Sequence, residues 1–93
     1  MKIFDFYIRE LMDEKWVSPE LFDMVHDDLE TATLDRILVV LAKVLDEKDG
    51  KLLLDAQQEW WEIFETVLDK LMDKHSDVVS DALNEFADEY VGV

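Results

Sequence analysis

Residues 34–45, LDRILVVLAKVL, form the most continuously apolar stretch of the chain and decide its predicted fold. At helical spacing their apolar side chains point in nearly every direction, and Arg36, Lys43 and Glu47 leave only a narrow polar strip. A helix that is apolar nearly all round is normally enclosed by other helices. We therefore predict that helix 34–48 lies at the centre of a helical bundle.

The composition of the rest of the chain also favours helices with short connections. The 93 residues include only two Gly and one Pro, whereas a sheet protein needs turn residues at short, regular intervals. Hydrophobic residues make up 49% of the chain, which excludes intrinsic disorder. We predict an all-α fold, a compact bundle of about five short helices, in a single domain that spans residues 1–93.

Capping residues and apolar spacing predict four further helices around the central one. Ser18 and Pro19 suit the N-cap and first turn of a helix. Thr33 is the expected N-cap of the central helix, and Gly50 is its expected C-terminal cap or turn. Ser76 is the expected N-cap of the last helix. The predicted bounds of the four are about residues 3–15, 19–31, 53–74 and 76–91.

The sequence contains no complete motif for the function classes that depend on particular side chains. The chain has no Cys, which excludes thiolate catalysis and the usual structural zinc sites. A calcium loop around Gly50 would need liganding carboxylates at Leu45 and Ala56. A di-iron bundle needs two Glu-x-x-His motifs, but Met72 stands at the position that Glu would take before His75. We expect no enzyme activity, no cofactor and no metal site.

The N-terminus and the apolar runs match neither a signal peptide nor a membrane span. Asp5 interrupts the N-terminal segment, and the longest apolar run, residues 37–42, is far shorter than the ~20 residues of a spanning helix. We expect a cytoplasmic protein that does not contact membranes.

Net charge is the unusual quantity of this sequence. The chain has 24 Asp and Glu against 9 Lys and Arg, a formal net charge of −15. Charge repulsion at this density destabilises a small folded domain. It also disfavours direct binding of nucleic acid, which needs a basic surface. The charge therefore predicts a basic protein as partner.

Acidic residues recur once per turn on the outward faces of three predicted helices, about 5.4 Å apart along the axis. Like charges at i,i+4 cost a few tenths of a kcal/mol each, where mixed signs would stabilise the helix by a similar amount. Each single face also fits a solvated, solubilising surface, but three together favour a functional surface. The faces comprise Glu62, Glu65, Asp69 and Asp73; Asp77, Asp81, Glu85 and Asp88; and Glu20, Asp23, Asp27 and Glu30.

In composition the chain resembles the DNA-mimic proteins of phages and plasmids, which block restriction, CRISPR or other DNA-binding machinery. The resemblance extends over the whole chain and involves no motif. It implies an inhibitor whose carboxylates take the place of phosphates in the basic groove of a partner. The predicted partner-binding residues are the acidic residues of the last two helices together with Trp61.

The adjacent Trp60 and Trp61 leave alternatives open. Trp60 falls in the apolar stripe of its helix and Trp61 at the margin, where it either covers a second seam of the core or anchors a partner. An anchor of this kind, rimmed by acidic residues, is typical of an immunity protein or antitoxin that neutralises a basic nuclease toxin. A third alternative is a self-assembling helical adaptor, with Phe6 in a homodimer interface.

Overall fold

The computed structural model describes residues 2–92, which contain five α-helices, two 3₁₀ turns and no β-strand. This architecture confirms the predicted all-α bundle. The helices are α1 (Asp5–Glu14), α2 (Phe22–Val44), α3 (Glu47–Gln57), α4 (Trp61–Lys74) and α5 (Ser76–Val91), and the 3₁₀ turns are Lys2–Phe4 and Pro19–Leu21.

The longest helix, α2, covers the region in which two separate helices were predicted. Thr33 is not an N-cap, because it lies in the middle of α2 with its side chain fully buried. No Gly or Pro interrupts residues 20–49, so nothing in the sequence ends the helix at Thr33. One buried line at i,i+4 spacing runs along α2 instead: Leu29, Thr33, Ile37 and Leu41.

The segment after α2 begins a new helix, so the predicted end at residue 48 is wrong. Leu45 is extended, and the Asp46 carboxylate accepts the Asp49 N–H at 2.8 Å as the N-cap of α3. Gly50 is not a C-terminal cap, since it lies inside α3 and its N–H donates to the Asp46 carbonyl at 2.8 Å. The capping carboxylate decides this boundary, because it satisfies a donor at the start of α3.

The predicted helix 53–74 is in fact a hairpin of two helices, α3 and α4. The helix is interrupted at residues 58–60, which connect α3 to α4. The Lys74 ammonium at the end of α4 donates a hydrogen bond to Asp49 at the start of α3, at 2.6 Å. Trp60 is extended and 80% exposed, so its predicted place in the apolar stripe is wrong. The hairpin brings the apolar faces of α3 and α4, with Leu53 and Phe64, into the same core.

The remaining helix starts deviate slightly from the predicted caps. Ser18 does precede the 3₁₀ turn that begins with Pro19, but its side chain makes no capping hydrogen bond. Ser76 is the first residue of α5, and His75 occupies the N-cap position. The α1 and α5 helices are joined by Tyr7, whose hydroxyl donates to the Leu83 carbonyl at 2.6 Å.

The central helix α2 is covered on one side only. Its Ile37 and Leu41 are fully buried and α2 contacts both α1 and α5, as expected for the centre of the bundle. Val39, in contrast, is 55% exposed. The molecule measures 42 × 28 × 15 Å, with a radius of gyration of 14.0 Å where a compact chain of this length has about 12 Å. A bundle this flat lacks the helices to cover the second side of α2.

Candidate partner-binding surfaces

The acidic residues predicted on α4 lie mainly on its solvent face. Glu62, Asp69 and Asp73 are exposed, whereas Glu65 is half-buried. The Glu65 carboxylate accepts the Ile3 N–H at 3.2 Å and so holds the N-terminal 3₁₀ turn against α4. Glu65 therefore has a structural contact in addition to its place in the acidic face.

The α5 helix continues the acidic face of α4 along the chain. Its Asp77, Asp81, Glu85 and Asp88 are all exposed. His75 is both the C-cap of α4 and the N-cap of α5, so no linker separates the two helices. Acidic residues consequently recur at every third or fourth position from residue 62 to residue 88. We refer to these side chains of α4 and α5 as the acidic rows.

No side chain of the acidic rows forms an ion pair within residues 2–92. Two cations near the acidic rows have other partners: Arg36 donates to Glu89 at 2.6 Å, and Lys74 donates to Asp49 at 2.6 Å. The hydrogen bond that Arg36 donates to Glu89 raises the pKa of Arg36, with a smaller contribution from the charge of Glu85. The negative charge of the acidic rows is therefore screened mainly by ions in the solvent.

The third predicted acidic face, on α2, is a mixed-charge cavity. Glu20 lies in the 3₁₀ turn before α2 and does not continue the row. The Asp5 carboxylate binds His26 Nε2 and Arg9 Nε, each at 2.9 Å, and these hydrogen bonds lower the pKa of Asp5. The cavity of about 410 Å³ is lined by Asp5, Arg9, Phe22, Asp23, His26 and Asp27. The Arg9 guanidinium at this site makes it a weaker imitation of a phosphate row than α4 or α5.

An apolar groove runs between the second half of α2 and the α3–α4 hairpin. It consists of two cavities, of about 200 and 330 Å³, which share Leu38 and Gln57 and therefore adjoin. We refer to them together as the apolar groove. Its other lining residues are Leu34, Glu59, Trp61 and Phe64 at one end and Ala42, Leu45, Gly50, Leu53 and Leu54 at the other.

The apolar groove was not predicted, although one signal for it stands in the sequence. Residues 34–45 are apolar nearly all round, and full burial would need a neighbour on every side. Five helices in a chain of 93 residues form too few layers for that. Part of the stretch, including Val39, is therefore exposed to solvent.

The structure places Trp61 apart from the acidic residues with which it was grouped. Trp61 is 52% exposed, lines the apolar groove and packs against Phe64 with the ring centroids 5.5 Å apart. Glu62, Glu65 and Asp69 line a different cavity, of about 320 Å³, beside Ile3 and Thr66. The predicted partner-binding residues thus belong to two surfaces that both include α4.

Metal and membrane sites give no further candidates among the described residues. Within residues 2–92, no cluster of three or more His, Asp or Glu side chains has a geometry that could hold a metal ion. None of the helices in that range is long and apolar enough to cross a bilayer.

Comparison with known proteins identifies no relative. No family model, no curated protein and no solved structure matches the chain. The two surfaces described above are therefore the basis for any statement about function.

Proposed function

We propose that this protein is an inhibitor that occupies the basic nucleic-acid-binding surface of a partner protein, in the manner of the DNA mimics that phages and plasmids direct against restriction or CRISPR machinery. The observation that supports the proposal most strongly is the arrangement of the acidic rows. Their carboxylates recur through two joined helices and have no cationic partner within residues 2–92.

The spacing of the acidic rows suits a surface that binds phosphates. Along each helix the carboxylates stand about one turn apart, ~5.4 Å along the axis. A basic groove that releases counterions when it binds phosphates would release them in the same way on binding these carboxylates. The helices also hold the charges in place before binding, so little ordering entropy is lost on association.

The chain bears a cost in stability for keeping these charges unpaired. Within α4 and α5, Asp69 and Asp73, or Asp77 and Asp81, stand at i,i+4, where like charges destabilise a helix by ~0.2–0.5 kcal/mol per pair. Lysine at half of these positions would convert that cost into a gain. A folded domain of this size has only a few kcal/mol of stability to lose. This supports a role for the rows beyond solubility.

Affinity capture from the native cell tests the proposal, with binding at low salt and elution at high salt. We expect a basic nucleic-acid-binding protein in the eluate. Duplex nucleic acid added to the purified complex should displace this protein from its partner, because both bind the same surface. A partner that binds nucleic acid and this protein simultaneously would overturn the proposal.

The exposure of Trp61 favours one second candidate, an immunity protein or antitoxin for a basic nuclease toxin. An aromatic side chain that is half-exposed over an apolar groove can supply a binding hot spot. For such a protein, Trp61→Ala should weaken binding more than any single change in the acidic rows. Trp16→Ala is the matched control, since Trp16 is 90% exposed and lies outside the groove. For the mimic, single changes at Trp61 and in the rows should have similarly small effects.

A further inference from the structure

The apolar groove has the length and shape of a site for a helix. Its lining residues on α2 extend from Leu34 to Ala42, and Leu45 follows just after the end of the helix, so that the groove spans about three helical turns or ~17 Å. Helix-in-groove recognition uses apolar anchors at i, i+3 or i+4 and i+7, which cover about this distance. The two adjoining cavities therefore match the row of anchors on one side of an amphipathic helix.

Gly50 keeps one end of the apolar groove open. It lies within α3, where glycine is less favourable than alanine because it loses more conformational freedom on folding. The backbone does not require glycine there, because Gly50 has the helical conformation of its neighbours, and a Cβ at this position would meet nothing within 4 Å. A larger side chain would extend into the groove, so its absence preserves the space.

Charges around the apolar groove favour a basic occupant. A second copy of this chain is disfavoured, because each copy carries a net charge of −15 and the two would repel each other. Outside the acidic rows, exposed acidic side chains at or next to the lining positions in the sequence outnumber lysines: Asp35, Asp46, Asp55 and Glu59 against Lys43 and Lys51. We refer to these four acidic side chains as the acidic rim. Cations on the polar face of a bound helix would lie near this rim.

We propose that the apolar groove binds a basic amphipathic helix of another protein, with the apolar anchors of that helix between α2 and α3. Leu38, Leu54 and Trp61 contact the anchors, and the acidic rim contacts the cationic face. This interaction uses a surface other than the acidic rows, and it does not depend on the proposed mimicry of nucleic acid.

A synthetic peptide of about 18 residues, with Leu at helical a/d spacing and Lys elsewhere, is the probe. Its matched control is a peptide of the same composition whose order removes the helical periodicity. Binding is measured by isothermal titration calorimetry at 0.5 M NaCl, where nonspecific charge attraction is screened to within ~4–5 Å. We expect the periodic peptide to bind at least about tenfold more tightly than its control, since only one can bury a continuous apolar face.

Two pairs of variants locate the site of binding. Gly50→Leu fills the groove and should lower the affinity for the peptide about tenfold or more. Gly50→Ala should leave this affinity within about twofold of the wild-type value. Leu54→Lys, in the groove, should weaken binding similarly, whereas Leu52→Lys, also exposed on α3 but outside the groove, should not. Circular dichroism verifies that each variant is folded.

Three results would overturn the proposal. One is no binding of the periodic peptide, and a second is equal binding of the two peptides. The third is an equal loss of affinity in Leu54→Lys and Leu52→Lys, which would place the peptide outside the groove. A partner captured through the acidic rows would still bind in each of these cases, so failure of this inference is distinct from failure of the mimic proposal.

Discussion

The acidic rows and the apolar groove, which both include α4, differ in the range of the forces that they exert. The rows act through charge, over about a Debye length of 8–10 Å at moderate salt, and weaken as salt is added. The groove acts through burial of apolar surface, which needs direct contact and is little affected by moderate salt. Long-range charge accelerates the encounter with a basic partner, while short-range apolar contact slows its departure. The two surfaces can therefore be disabled separately.

The largest expected effect distinguishes the covered side of α2 from its open side. Ile37→Ala removes a fully buried side chain and should lower the free energy of unfolding by about 3 kcal/mol. Val39→Ala, two residues further along the same helix, should lower it by less than about 0.5 kcal/mol because Val39 is 55% exposed. Urea denaturation measures both. Equal losses would show that α2 is enclosed on both sides.

Charge reversal in the acidic rows should abolish their contribution to partner binding and leave the apolar groove unchanged. We expect Glu62→Lys, Asp69→Lys and Asp73→Lys together to weaken binding of the captured basic partner by about 100-fold at low salt, since attraction becomes repulsion. Glu65 is left unchanged because it accepts the Ile3 N–H. Affinity is measured by surface plasmon resonance.

The matched control for this reversal carries the same three charge changes on α1. Glu10, Asp13 and Glu14 are exposed there and lie outside both surfaces. Their reversal should weaken partner binding far less, although it alters the net charge equally. If both triple variants lose affinity to the same extent, net charge and not the arrangement of the rows governs binding.

Thr33 lies on the covered side of α2, and replacing it should stabilise the protein. Its side chain is fully buried, and its hydroxyl oxygen has no hydrogen-bond partner within residues 2–92. Thr33→Val removes this unsatisfied group and should raise the free energy of unfolding by about 1 kcal/mol, or the melting temperature by roughly 5 °C. Differential scanning calorimetry measures the shift. A lower melting temperature would indicate that the hydroxyl has a partner in solution.

The dependence of stability on pH and on salt should separate the paired carboxylates from the unpaired acidic rows. Hydrogen bonds to His26 and Lys74 lower the folded-state pKa of Asp5 and Asp49 below the ordinary value of 3.8. Their contribution to stability is thus complete above that value and is lost as pH falls through the lowered pKa. Repulsion within the rows instead decreases when added salt screens the charges.

We therefore expect the melting temperature to fall below about pH 4. At pH 7, moderate salt should raise the melting temperature by a few degrees, because it screens the repulsion within the acidic rows. Thermal denaturation followed by circular dichroism measures both. A melting temperature that falls on addition of salt would show that attractive pairs dominate the surface.

The acidic rows could be predicted from the sequence because they depend only on helical periodicity. Any helix that contains Glu62, Asp69 and Asp73 places them on one face, whatever its neighbours. The same holds for the all-α class, which follows from apolar spacing and the scarcity of Gly and Pro.

The boundaries of the central helices and the apolar groove could not be predicted in this way. At Thr33, a residue that often caps helices is buried inside one, because packing against the core outweighs its local preference. At Trp60, the sequence continues an apolar stripe while the chain turns into the α3–α4 hairpin. The groove exists only because of that hairpin, so long-range packing determines it.

The salt dependence of partner binding is the most direct test of the role of the acidic rows. The affinity of the captured partner is measured between 50 and 500 mM NaCl for the wild type, for Glu62→Gln with Asp69→Asn and Asp73→Asn, and for the equivalent neutralisation of Glu10, Asp13 and Glu14. We expect a steep linear fall of log affinity with log salt in the wild type and the α1 variant, and a clearly shallower slope in the α4 variant. A wild-type slope near zero, or the same slope in all three proteins, would contradict the proposed function.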